Sequence, residues 1–192
     1  MKTAHSCGFM TMAMLALAAT TAPAAPPLPM DLIISAENEA VCEHDYSNAS
    51  ATIKIKEKAN GKTKIKIKIK NAKPNHLYTV WLKLDGTSPL SGIGATPAAG
   101  SGDIQTIIDN ADTACAAGAN AFYTNSAGKG KLRITLDFHL SDGIYPFSAF
   151  DGSPDVAIGN TPFSFRVISH CTDGQQHGLY PGVHEPTFQI SI

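Results

Sequence analysis

Two stretches of strict alternation, Ala51-Thr-Ile-Lys-Ile-Lys-Glu-Lys58 and Thr63-Lys-Ile-Lys-Ile-Lys-Ile-Lys70, constrain this chain more than any other feature. Apolar side chains that recur at every second residue share one face of an extended strand, whereas on a helix they would scatter around the axis. Each stretch therefore reads as a half-buried strand, with isoleucine inward and lysine outward. Register tests the connection between them. A two-residue Asn60-Gly61 loop would set Lys56 opposite Ile65, mixing charge and hydrophobe on one face, which a buried face forbids. A three-residue loop of Ala59, Asn60 and Gly61 instead pairs Ile55 with Ile65 and Ile53 with Ile67. It also puts Gly61 where a positive φ is needed, as in a type I turn followed by a bulge. This hairpin predicts Ile53, Ile55, Ile65, Ile67 and Ile69 in the core.

Weaker signals of the same kind continue along the chain. His76 to Leu84 reads as a strand with Tyr78, Val80, Leu82 and Leu84 on one face, after a turn at Asn71 to Asn75. Lys131 to Leu140 alternates through Leu132, Ile134, Leu136, Phe138 and Leu140. Leu32 to Ile34, Ala121 to Thr124, Tyr145 to Phe150, Thr161 to His170 and Thr187 to Ile192 are further strand candidates. Residues 87–102, mostly Gly, Ser, Pro and Ala, read as a surface loop. One helix is expected near residues 103–117, capped by Asp103, apolar at Ile104, Ile107, Ile108, Ala111 and Cys115, and stopped by Gly118. A chain of 192 residues has room for one real core. Short strands separated by turns, with a single helix, predict an all-β fold: one antiparallel immunoglobulin-like β-sandwich with one short inserted helix.

Residues 1–25 read as a signal peptide: Lys2, then the apolar run Phe9 to Ala19, then small residues through Ala25. That run is too short to span a bilayer, no later stretch is long enough to cross a membrane, and Cys7 precedes the run, where it cannot serve as a lipid anchor. The expected organisation is a signal peptide at 1–25, a partly extended acidic segment at 26–50 and the β-sandwich at 51–192, in the periplasm or secreted. Three cysteines remain, Cys42, Cys115 and Cys171, and an oxidising compartment favours one disulfide among them. Three pairings are open. Cys115–Cys171 is the expected one, because a helix end beside a loop offers movable backbone to meet the narrow bridge geometry.

Two motifs carry a resemblance. Pro74-Asn-His-Leu-Tyr-Thr-Val-Trp-Leu82 follows the alternating hairpin, and Asn120-Ala-Phe-Tyr-Thr-Asn-Ser-Ala-Gly-Lys-Gly130 joins two strand candidates through a Gly-containing turn. Over residues 50–140 the chain resembles secreted bacterial immunoglobulin-like sandwich proteins. The resemblance implies an exported β-sandwich and brings no functional residues with it.

The chemistry is defined first by absences. There is no Gly-x-Ser-x-Gly elbow, and His184-Glu185 lacks the second histidine of a metalloprotease helix. Gly92-Ile-Gly94 lacks the rest of a nucleotide cradle, and no His-x-His pair is present. A formal net charge of −1 argues against a nucleic-acid partner. Within this balance, nine of the fifteen basic residues fall between Lys54 and Lys73. Lys54, Lys56, Lys58, Lys64, Lys66 and Lys68 are expected on one face of the hairpin, several directly opposed, which costs stability. Such a face suits an anionic glycan, a lipid headgroup or a protein partner. It equally suits a solvated sheet face that resists edge-to-edge aggregation. A second candidate is the loop from His170 to Glu185, where His170, Asp173, His177 and His184 could ligate zinc or copper. The sequence therefore predicts an exported, non-enzymatic binding or accessory module without a cofactor. A metal-binding protein or metal-dependent enzyme using the His loop is the alternative.

Overall fold

In the computed structural model the described residues are 25–84, 95–109, 118–145, 148, 152, 154–159, 162–171 and 186–192. The expected signal peptide lies outside them apart from Ala25. The elements, in chain order, are β1 (Leu28–Ile33), α1 (Ala36–Cys42), β2 (Ser50–Glu57), β3 (Thr63–Lys70), β4 (Leu77–Leu84), β5 (Ala95–Pro97) and α2 (Ser101–Asp109). There follow β6 (Ala121–Tyr123), β7 (Gly130–Leu136), β8 (Ile144–Tyr145), β9 (Val156–Ala157), β10 (Phe163–Ser169) and β11 (Thr187–Ser191).

The hairpin forms in the register that burial demands. Ile53 faces Ile67 and Ile55 faces Ile65 across β2 and β3. The Lys58 N–H donates to the Lys62 carbonyl at 2.8 Å, so three residues make the loop, and the Gly61 N–H returns to the Lys58 carbonyl at 3.1 Å. Gly61 has φ of +80°, a conformation that costs glycine nothing. On its other edge β3 pairs with β7, setting Ile65 against Ile134 and Ile67 against Leu132. Three neighbouring strands thus present one apolar face.

All the pairings among the described residues are antiparallel, and the all-β expectation is met. The hydrogen-bonded order is β5-β4-β10-β11-β1-β2-β3-β7, with β6 also on β4. β1 joins the halves: Leu28, Pro29 and Met30 pair with β2, while Asp31, Leu32 and Ile33 pair with β11. The two ends of the path approach each other, because a tight turn at Asn125 to Lys129 leads from β6 straight into β7. Gly130 permits this closeness, since a Cβ there would meet the Phe122 ring at 2.5 Å. The hydrogen bonding therefore traces one nine-stranded sheet curled into a nearly closed barrel, with β8 and β9 forming a separate two-stranded ribbon. Its main core joins Ile53, Ile65, Ile67 and Ile134 from one half to Val80, Leu82, Phe165, Val167 and Phe188 from the other.

Several expectations are corrected. Residues 87–102 are not all surface loop, because β5 pairs with β4 and residues Pro97 to Gly100 are buried. The helix expected from Asp103 begins at Ser101, where the Asp137 carboxylate at the end of β7 accepts from the Ser101 N–H and hydroxyl. A cap supplied by a residue distant in sequence has no local signature. Residues 110–117 lie outside the described set. β7 ends at Leu136, and Leu140 reaches the core from a turn instead. α1 falls within the segment expected to be partly extended. A positive φ at Glu43 ends it and brings Cys42 to Cys171 after β10. The disulfide is Cys42–Cys171, with Cα atoms 5.0 Å apart, and not Cys115–Cys171. Sheet closure, not loop mobility, brings these two sulfurs together across 129 residues of sequence.

Candidate functional site: the basic sheet face

The alternation that buries isoleucine on β2, β3 and β7 necessarily turns the intervening side chains outward. Lys54 and Lys56 project from β2, Lys64, Lys66, Lys68 and Lys70 from β3, and Lys131 and Arg133 from β7. The remaining outward positions on these strands are Ser50, Thr52 and Thr135. None is a carboxylate. Register aligns the cations in rows: Lys54, Lys66 and Arg133 lie side by side across three strands, Lys56 pairs with Lys64, and Lys68 pairs with Lys131. Lys58 belongs to the hairpin turn with Lys62 and joins the face at its end.

Crowding leaves an electrostatic mark. Lys68 above all, then desolvation, Arg133, Lys131 and Lys54, hold the Lys66 ammonium below the usual lysine range. Lys56, desolvation and Lys64 lower Lys58 in the same direction. Between the side chains lies a depression of about 270 Å³, lined by Lys54, Lys56, Lys64, Lys66 and Arg133 with Ile65, Ile134 and Thr135. Two carboxylates stand at one end of the face, Glu57 as the last residue of β2 and Asp137 just after β7. Glu57 accepts from the Ser141 N–H at 2.8 Å and its hydroxyl at 2.9 Å, and Asp137 serves α2. There His139 donates through Nε2 to the Lys58 carbonyl at 2.7 Å, with Nδ1 at 3.3 Å from Asp142. The hydrogen bond to Lys58, more than the nearby Glu57 and Asp142, raises its pKa above 6.5.

Lys54, Lys56, Lys64, Lys66 and Lys68 lie where the alternation puts them, and Lys58 stands just past β2 at the hairpin turn. Sequence reasoning missed Lys70, Lys131 and Arg133 as members of the same face. The alternation of residues 131–140 already turned Lys131 and Arg133 outward, but only the β3–β7 pairing, sixty-odd residues apart in sequence, shows that they extend this face.

The His loop is a different matter. Asp173, His177 and His184 lie outside the described residues, so the proposed zinc or copper set is not assembled among those that are described. His170 is fully buried after β10, its Nε2 2.7 Å from the Thr79 hydroxyl, which also accepts from the Trp81 indole at 2.9 Å. That ring nitrogen is engaged. Cys171 is consumed by the disulfide, with its sulfur 3.0 Å from the Ser169 hydroxyl and 3.4 Å from His76 Nε2. Ser169 continues to the Tyr46 hydroxyl at 3.2 Å and Tyr46 to the Tyr78 hydroxyl at 3.1 Å. Burial pushes the Tyr78 phenol far above its ordinary value, so it stays protonated and serves as a buried strut. Among the described residues no group of three or more His, Cys, Asp and Glu is arranged to hold a metal ion.

Neither a protein-family model nor a curated protein sequence matches the chain.

Proposed function

We propose that this chain is an exported, non-enzymatic binding module that holds an anionic partner on the outer face of β2, β3 and β7. One observation carries the reading: eight cations occupy neighbouring outward positions on three paired strands, and no carboxylate interrupts them. Like charges opposed on adjacent strands destabilise a sheet. A ligand that supplies the missing negative charge recovers that cost as binding free energy. The signal-like residues 1–25 support export, and the disulfide between Cys42 and Cys171 suits an oxidising compartment. The two halves of the curled antiparallel sheet, joined through β1 around a shared core, support reading it as a relative of the immunoglobulin-like sandwich.

The test is a charge-reversed triple variant, Lys64→Glu, Lys66→Glu and Lys68→Glu, compared with the parent on immobilised anionic polymers of several kinds. The parent is expected to be retained and released by salt, and the variant to pass through. Equal retention of both, with the variant shown folded by circular dichroism, would overturn the assignment of this face.

A further inference from the structure

We infer that the anionic partner is a linear acidic polysaccharide, held along the track by the lysine charges, with Arg133 reading one carboxylate or sulfate group at the depression beside Lys66. The inference rests on the anion-binding reading above and names its ligand class. Strand spacing places neighbouring cations about 4.8 Å apart across the sheet and roughly 6.8 Å apart along each strand. From Lys64 to Lys70 the row on β3 runs about 20 Å, while the cationic strands are together only about 10 Å wide. The face is a narrow track with repeated charges, which fits a single polymer strand carrying an anion on successive units. It is too extended for one small ion.

What the track lacks selects among polyanions. Its outward positions hold no aromatic ring, so it offers no platform for stacking nucleobases. Among the described residues the exposed large hydrophobics, Leu28, Ile33, Val41, Tyr123, Ile144 and Ile192, all lie off it, and none offers an apolar wedge beside the lysines for a bilayer. A nucleic-acid duplex would overhang the three strands and meet Glu57 and Asp137 at the rim. Within the track, Arg133 differs from its neighbours because its planar fork can take both oxygens of a carboxylate or sulfate. It stands in register with Lys66 and Lys54 and lines the depression of about 270 Å³.

The experiment measures binding of the full mature chain by calorimetry at several salt concentrations. The probes are heparin, polygalacturonate, neutral dextran, polyglutamate, a duplex DNA and vesicles of anionic phospholipid. Heparin, polygalacturonate or both are expected to bind at least tenfold tighter than every other probe, with affinity falling as salt rises. The two polysaccharides separate sulfate from carboxylate recognition. Arg133→Lys, which keeps the charge, is expected to weaken polysaccharide binding about fivefold or more, and Lys70→Gln at the track's end less than twofold. Equal losses in those two variants would remove the role given to Arg133. If DNA, polyglutamate or vesicles bind as tightly as the polysaccharides, the ligand class is wrong while anion binding at this face stands. If no anionic probe binds, both readings fall.

Discussion

Replacing Ile67 by alanine probes the hairpin register and the core at once. Ile67 is 0% exposed and stands between Ile53 on β2 and Leu132 on β7. The change removes carbon worth about three methylenes, or about 2.4 kcal/mol of transfer free energy at roughly 0.8 each. The neighbours are fixed on both sides by ladder hydrogen bonds and cannot close the hole completely. A residual cavity of roughly 60 Å³ adds about 1.4 kcal/mol at ~24 cal/mol per Å³. The expected loss is therefore about 4 kcal/mol, which lowers Tm by about 8–16 °C for a chain of this size. Lys66→Ala, one residue away, faces out among Lys54, Lys68 and Arg133. Its effect is expected within about 0.5 kcal/mol of zero, leaning toward stabilisation because it relieves repulsion. Urea unfolding followed by circular dichroism compares the two variants with the parent. Equal midpoints for the two variants would refute the register and the core argument together.

Non-reducing peptide mapping is expected to recover Cys42 linked to Cys171, and a bridge containing Cys115 would contradict the fold. Cys42→Ser should cost about 5 kcal/mol on the chain-entropy estimate for a loop spanning 129 residues, read as the shift in urea midpoint. Raising ionic strength from about 0.01 to 0.15 M shortens the Debye length from about 30 to 8 Å. This should raise Tm in the parent and raise it less in Lys66→Gln, and a fall in the parent would show that repulsion across the strands is not what limits it. His139 prefers its protonated form in the folded state, so its contribution is complete below the unfolded value of 6.5 and is lost as pH climbs through the raised folded value. Its ring protons, followed by NMR, should titrate above 6.5, and His139→Gln should flatten the pH dependence of stability in that window.

The parts of this fold that can be read from sequence are those where a local rule has one solution. Ile53 to Ile69 could be buried together only with a three-residue loop, and that is what forms. The single-face reading of Tyr78, Val80, Leu82 and Leu84 likewise places them in the core. It did not show that Thr79 and Trp81 are buried on the opposite face, since Trp81 packs on Ile168 some ninety residues away in the chain. The pairing of Cys171 escaped for a similar reason: three cysteines give three local possibilities, and only the closure of the sheet chooses among them. In the candidate site the outward direction of each lysine was legible. The addition of Lys131 and Arg133 was not, because it depends on which strand lies against the free edge of β3.

The way β1 is shared between two partners bears on when this protein can become itself during synthesis. A chain delivered N-terminus first can fold β2 on β3 at once, since only a three-residue loop separates them. β1 can add to β2 soon afterwards, through Leu28 to Met30. Its second half, Asp31 to Ile33, must wait for Phe188 and its neighbours on β11, more than 150 residues later. Until then half of β1 is an open edge, and Cys42 has no Cys171 to meet. Contacts this remote in sequence make folding slow, and an unpaired edge invites association with other chains in the meantime. Lysines crowd the β2–β3 hairpin, the first part able to form, and like charge there would oppose its association with copies of itself. The face read here as a binding surface would thus also guard the unfinished chain.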